Sequence, residues 1–404
     1  MVYVAVLGYG TVGSGVFEVM NTNSELINKK AGEEVAIKYV LDLRDFPGDQ
    51  VEKVLVHDYN VILEDPSVKV VVEVMGGVEP AYTFVKQALL AGKSVCTSNK
   101  ELVANKGAEL IRIAKEHKVN FLFEASCGGG IPIIRPLNSS LTADDIIEIS
   151  GILNGTTNYI LTKMTDEGWD FDTALKSAQE LGYAERNPEA DIEGYDACRK
   201  IAILSSLAYG KTVYYEDIYT EGISKVTHED IEYAGKMGYA IKLIASSEKA
   251  DGNIFAMVTP MLVKKDHPLC SINGVFNAIF VKGNMLGDAM FYGSGAGKLP
   301  TASAVVGDVV DAVRHVGKNI MVFWDEEKIE LKSIKESKHR YFVRIKGDES
   351  SVGGEVKKIF AGAQFTDAKI AGETGFMTEV MTEETFEKAL SGLDGVIARI
   401  RVKE

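Results

Sequence analysis

Val2-Tyr3-Val4-Ala5-Val6-Leu7-Gly8-Tyr9-Gly10-Thr11-Val12-Gly13-Ser14-Gly15 opens the chain and decides its fold. A β-branched apolar run ends directly in glycines, after which Val16, Phe17, Val19 and Met20 carry helical spacing. The pattern is strand, glycine turn, helix. In such a unit Gly8 permits the tight turn, Gly10 lets a pyrophosphate approach the backbone, and Gly13 lets helix and strand pack closely. The helix N-terminus offers N–H groups to the phosphates. The spacing points to dinucleotide binding, with Gly8, Gly10, Thr11, Val12 and Gly13 as cofactor-binding residues; an ordinary strand-to-helix turn is the bland alternative.

Working outward, residues 35–41 read as a second strand that ends at Asp42-Leu43-Arg44-Asp45, where such a fold reads the adenosine ribose. Asp42 would bond a free 2′-hydroxyl and argue for NAD. Arg44 would clamp a 2′-phosphate and argue for NADP, toward which the reading leans; solvated loop charges are the third account. Residues 68–74 form a near-continuous apolar run suited to a buried parallel strand. Then follow a helix (82–91), a strand (94–97), a helix (102–117) and a strand (120–124). This alternation predicts an α/β, Rossmann-type, doubly wound parallel sheet.

Three polar groups fall at strand carboxyl ends, where ligands gather in such sheets: Gly76-Gly77, Ser98-Asn99-Lys100, and Glu124 to Gly130. Lys100 is expected to face the crevice and steer an anionic substrate, although a surface lysine near a helix start would read the same. Residues 124–132 combine a carboxylate with glycine-rich backbone, the oxygen set that suits hard cations; a glycine hinge is the competing account.

Composition sets the outer limits. The chain has 404 residues, 46% of them hydrophobic, and a net charge of −14, so it repels nucleic acid and anionic lipid as bulk partners. Cys96, Cys127, Cys198 and Cys270 are widely spaced, which suggests neither a zinc site nor a disulfide framework and fits a cytoplasmic setting. Gly8 cuts the first apolar run far short of a membrane span.

After Ile131-Pro132 the pattern changes to an α+β unit: a strand at 145–152, the polar turn Asn154-Gly155-Thr156-Thr157-Asn158, and helices at 159–167 and 171–181. The segment from Gly182 to Lys200 carries most of the chemistry. From Tyr195 a helix runs to Tyr209, and Asp196 and Lys200 share one face at i and i+4. A surface ion pair would explain that spacing, but Ile201-Ala202-Ile203-Leu204 make the helix apolar around most of its circumference. A buried lysine needs carboxylates, and Glu185, Asp191 and Asp196 are near in sequence. Such a cluster suits proton delivery to an alkoxide and binding of a substrate ammonium. Further strands are expected at 254–258 and 278–282, with 240–246 a strand or a helix end, and a helix from Thr301 to about His315 returns to the first domain.

The glycine turn, Ser98-Asn99-Lys100, Glu124-Ala125-Ser126, Gly155-Thr156-Thr157-Asn158-Tyr159 and above all the Gly182 to Lys200 segment together resemble homoserine dehydrogenase over residues 1 to about 320. The resemblance implies reversible NAD(P)H-dependent reduction of L-aspartate 4-semialdehyde to L-homoserine, in the route to threonine, methionine and isoleucine. It implies that Lys200 donates the proton, Lys100 is the second lysine at the reacting end, and Asp196 fixes Lys200. Glu185 and Asp191 would hold the substrate amino group, and Gly155 and Thr156 would touch the substrate. A monovalent cation such as sodium is implied at Glu124, Cys127, Gly129 and Ile131, three of them through backbone carbonyls, with Cys127 replacing the more usual valine. Hydride transfer belongs to the nicotinamide, which the protein orients.

Residues 325–340 are strongly charged and read as a linker, possessing at most a short strand at 328–334. Beyond them come a strand (341–345), a helix (354–361), strands (368–371 and 375–381), a helix (384–393) and a strand (395–402). That βαββαβ order resembles an ACT domain, which implies feedback control by threonine; dimerisation alone is the other role, since Gly347-Asp348-Glu349-Ser350-Ser351-Val352-Gly353-Gly354 is a loose effector loop. The expected organisation is a dinucleotide domain (1–131, completed by 295–320), a substrate-binding catalytic domain (132–294), the linker and the C-terminal module (341–404), assembled as a homodimer or homotetramer. A dehydrogenase for another amino-acid-like substrate and a nucleotide-sensing regulator are the alternatives, and the second gives the acid–lysine cluster no task.

Overall fold

The β-branched run forms the strand Val2–Leu7, with Val4, Val6 and Leu7 fully buried, in a computed structural model that describes residues 1–366 and 368–403. It is central to a six-stranded sheet in the order Leu55–Val56, Val35–Leu41, Val2–Leu7, Val68–Glu73, Ser94–Thr97 and Phe121–Leu122. Every pairing is parallel. The order reverses between Val2–Leu7 and Val68–Glu73, so a crevice opens there at the strand carboxyl ends. The helix Lys298–Arg314 covers this sheet: Ala302, Val305, Val309, Ala312 and Val313 share a buried cluster with Val4, Val6, Val16 and Met20.

The chain divides into two units, each built from three stretches. The first holds residues 1–146, 202–215 and 282–329, and the second 147–201, 216–281 and 330–404. In the second unit a mixed sheet runs in the order Phe276–Gly283, Ile146–Ile152, Tyr239–Ala250, Asn253–Lys264, Val396–Lys403, Tyr341–Lys346, Glu373–Met377 and Gln364–Thr366. Asn253–Lys264 and Val396–Lys403 pair in parallel, with Met261 opposite Arg401, so the last strand of the chain continues the sheet of the middle region.

Several expectations change. The polar turn at 154–158 is the first turn of the helix Gly155–Glu167, because the Asn154 side chain accepts from the Thr157 N–H at 2.9 Å and starts the helix early. Residues 239–250 are strand throughout. The stretch read as a linker is structured: Asp325–Lys328 pairs with Lys211–Thr212, and Lys338–His339 with Met381–Thr382. Residues 368–371 are not a strand, since Lys369 turns with a φ of 60°; the strand is Gln364–Thr366. Among the described residues no helix is long and apolar enough to cross a membrane.

Candidate active site

The glycine turn makes the first half of the site. A Cβ on Gly13 would lie 1.9 Å from the Gly8 carbonyl oxygen, so no side chain fits there, whereas around Gly10 nothing lies within 4 Å of a Cβ position. The first glycine is forced by packing, and the second leaves room on the ligand side. The helix Thr11–Thr22 has no side-chain cap, so its first N–H groups face a prospective phosphate. A cleft of about 540 Å³ opens at the sheet's switch point, lined by Gly8, Gly10, Asp42, Arg44, His57 and Met75 among others. The Gly10 space, the uncapped helix and the cleft fit a dinucleotide.

Asp42 and Arg44, competing readings in the sequence, are paired with each other. Arg44 Nε and Nη2 donate to the two Asp42 oxygens, both at 3.0 Å, and the Tyr9 N–H donates to Asp42 Oδ2 at 2.8 Å. The guanidinium holds the Asp42 carboxyl well below the usual carboxylate range, and the backbone N–H groups of Tyr9 and Arg44 act the same way. Both side chains line the cleft, Asp42 largely covered and Arg44 exposed.

The next strand ends hold a group that sequence reasoning missed. Glu73 is fully buried and accepts from Thr97 Oγ1 at 2.6 Å and from the Met75 N–H at 2.8 Å. Burial pushes its carboxyl up, while these bonds pull the other way. A carboxylate inside an apolar strand was the available signal. Asn99 caps the helix Lys100–Glu116 by accepting from the Leu102 N–H, and its amide donates to the Gly77 carbonyl at 2.6 Å. Two of the three polar strand ends are thereby joined, and Lys100 stands half-buried at the helix start.

Glu124, at the third strand end, serves the backbone: Oε1 accepts from the N–H of Ile133 at 2.6 Å and Ile134 at 2.8 Å, and Oε2 from that of Arg135 at 2.9 Å. Its own N–H donates to Asp308, to which Arg135 Nη2 also donates at 2.6 Å. Cys127, Gly129 and Ile131 lie on the turn between. Among the described residues no group of three His, Cys, Asp or Glu could hold a metal.

The second unit holds the acid–lysine cluster. Lys200, 9% exposed on the helix Tyr195–Tyr209, donates to Asp196 Oδ2 at 2.7 Å and to the Leu153 carbonyl at 2.8 Å. Asp196 is 5% exposed, so this i,i+4 pair is not a solvated one. Asn154 Nδ2 donates to Asp196 at 2.9 Å and to Asp191 at 2.7 Å, which ties both carboxylates to the start of the helix Gly155–Glu167. Sequence reasoning gave Asn154 no role; its signal is an amide at the joint between strand and helix. Thr156 Oγ1 donates to the Tyr183 carbonyl at 2.5 Å. Glu185 is exposed.

Comparison with known proteins decides the family. A model of homoserine dehydrogenase matches residues 132–310, and one of the homoserine dehydrogenase NAD-binding domain matches residues 8–124. Homoserine dehydrogenases of Synechocystis sp. and Bacillus subtilis are 47% and 43% identical over 77% and 78% of this chain, and each match covers 73% of the relative. The chain belongs to the homoserine dehydrogenase family. It is an NAD(P)-dependent oxidoreductase by that membership. The crystal structure of a homoserine dehydrogenase from Thiobacillus denitrificans, 36% identical, superposes with a TM-score of 0.91 over 100% of this chain and 98% of that one. A hyperthermophilic archaeal homoserine dehydrogenase, solved in complex with NADPH, is 31% identical over 77% of this chain and 97% of its own, with a TM-score of 0.66.

Proposed function

We propose that this homoserine dehydrogenase interconverts L-aspartate 4-semialdehyde and L-homoserine with Lys200 as the proton donor. The observation that carries the reading is the Lys200 ammonium held in a nearly dry site by Asp196 and the Leu153 carbonyl. The reduced nicotinamide, when bound, supplies the hydride to the aldehyde carbon. As charge grows on the aldehyde oxygen, Lys200 delivers a proton from Nζ and the product is the alcohol; in the reverse direction Nζ takes that proton back. Asp196 positions Lys200, Asp191 and Glu185 receive the substrate ammonium, and Lys100 serves the reacting end. Gly155 and Thr156 line the substrate.

Arg44 supports NADP as the preferred cofactor, since a 2′-phosphate can take the donors now shared with Asp42. A monovalent cation would be held through carbonyl oxygens of Glu124, Cys127, Gly129 and Ile131, the Glu124 carboxylate being committed to three N–H groups. The C-terminal βαββαβ module is read as ACT-like, a threonine-responsive or dimerising unit of a cytoplasmic homodimer or homotetramer.

Purified protein should reduce aspartate semialdehyde with NADPH, and Lys200→Ala should lower kcat by about 10²–10⁴-fold; turnover persisting in that variant would remove Lys200 from the mechanism. Arg44→Ala should raise the KM for NADP by tenfold or more, a change of about 1.4 kcal/mol or more, and leave the NAD constants within about threefold. Equal effects on both cofactors would sink the phosphate reading.

A further inference from the structure

Glu73 ends the strand Val68–Glu73 with none of its surface exposed, directly after the buried apolar run Val70, Val71 and Val72. The proton transfer assigned to Lys200 gives it no task. An apolar residue would serve packing better at this position, because a carboxylate taken out of water is stable only among hydrogen-bond donors. The donors that Glu73 has found come from two different strand ends.

The register of the sheet explains the meeting. Glu73 lies opposite Leu7 on one side and Thr97 on the other, so it stands between the glycine turn that follows Leu7 and the Ser98-Asn99-Lys100 segment that follows Thr97. On its own loop, Oε1 accepts from the Met75 N–H at 2.8 Å, and the Gly76 N–H also bonds the carboxylate. Gly76 and Gly77 have φ of 84° and 71°, the left-handed backbone that closes this turn. On the neighbouring loop, Oε2 accepts from Thr97 Oγ1 at 2.6 Å, and that hydroxyl oxygen accepts from the Asn99 N–H at 2.9 Å. Asn99 in turn accepts from the Leu102 N–H at 3.1 Å and donates to the Gly77 carbonyl at 2.6 Å. The bonds run from Glu73 through Thr97 and Asn99 to the first turn of the helix Lys100–Glu116, and close on the Gly76-Gly77 turn. A carboxylate accepts on both oxygens, whereas a carboxamide of the same shape turns an N–H₂ group toward one of these donors.

We propose that Glu73 is a positioning residue for the reaction: through Thr97 and Asn99 it fixes the helical turn that sets Lys100 at the reacting end. The proposal rests on the reading above that gives Lys100 this place. Its effect belongs in kcat, since a reacting group displaced by about 1 Å can cost on the order of 10²-fold in rate.

Steady-state homoserine oxidation at saturating NADP tests it, in Glu73→Gln, Lys100→Ala and the double variant. Glu73→Gln should lower kcat about tenfold or more and leave the homoserine KM within about threefold. Added to Lys100→Ala, it should lower kcat by less than about threefold, because the group it positions is gone. Unchanged kcat in Glu73→Gln overturns the proposal, as does a loss that falls on the homoserine KM or one repeated in full beside Lys100→Ala. A crystal structure of Glu73→Gln should show the Asn99-Lys100 turn displaced; an unmoved turn overturns the proposal even where the double variant is too slow to measure. Where Glu73→Gln does not fold, Thr97→Val, which cuts only the link between the carboxylate and Asn99, is held to the same outcomes. Wild-type kcat in Lys100→Ala sinks the reading beneath; a slow Lys100→Ala beside an indifferent Glu73→Gln sinks this inference alone.

Discussion

Lys200 and Lys242 are both buried lysines inside the second unit, and they differ in the charge of their neighbours. Lys200 meets a carboxylate at 2.7 Å. Lys242, 2% exposed, donates to neutral acceptors: the Ile272 carbonyl at 2.6 Å, Asn273 Oδ1 at 2.8 Å and Asn158 Oδ1 at 3.2 Å. Burial lowers its pKa to about 8, with only weak opposition from Cys270 and Asp166. The unfolded chain, where the group titrates near 10.5, binds more protons between those values, so unfolding free energy rises with pH from about 8 to 10.5. The penalty is fully present below that window. Lys242→Met should flatten this part of the profile, with a difference on the order of 2–3 kcal/mol between urea titrations at pH 7 and pH 10. Of these side chains, the pairing of Asp196 with Lys200 was legible from i,i+4 spacing on an apolar helix. Lys242 was not, because a single polar residue in a strand has no spacing partner and its surroundings come from distant segments.

At the scale of elements, the order of strands and helices in the first 130 residues followed from apolar runs and glycines, since buried parallel strands leave little else to read. Boundaries shifted where a side chain claimed a backbone group. Asn154 moved a helix start from Tyr159 to Gly155, and Asn99 moved another from Leu102 to Lys100, placing that lysine in the first turn. The strand–turn–helix at the N-terminus carries the sharpest prediction. Gly13→Ala would force a Cβ against the Gly8 carbonyl at 1.9 Å, a clash with backbone that cannot rotate away. NADPH binding, followed by its fluorescence, should weaken by at least 10²-fold, about 2.7 kcal/mol. Wild-type affinity in Gly13→Ala would mean that this turn does not cradle the cofactor.

For the molecule as a whole, the sequence reading set a charged linker before a small C-terminal module, and the structure pairs Met261 with Arg401, so the last strand of that module lies beside a strand of the middle region. Parallel pairing between strands more than a hundred residues apart leaves no local mark. Two buried arginines fasten the join. Arg401, 1% exposed, donates to both Glu383 oxygens and to Glu221 Oε2, and Arg344 donates to Asp230 at 2.7 Å and Glu373 at 2.8 Å. Removing one partner strands the others without counter-charge, so Arg401→Ala should cost about 3–5 kcal/mol in urea unfolding. A loss below about 1 kcal/mol would show these contacts to be slack.

That uninterrupted ladder of strands has a mechanical meaning. A lobe on a tether can signal by swinging loose, but a lobe woven into the fabric of its neighbour transmits only tension and twist. Whatever settles on the far strands of the C-terminal module must be felt, if at all, as a torque carried rung by rung along the Asn253–Lys264 and Tyr239–Ala250 hairpin to Ile146–Ile152, the strand that leads into the lysine's carbonyl anchor.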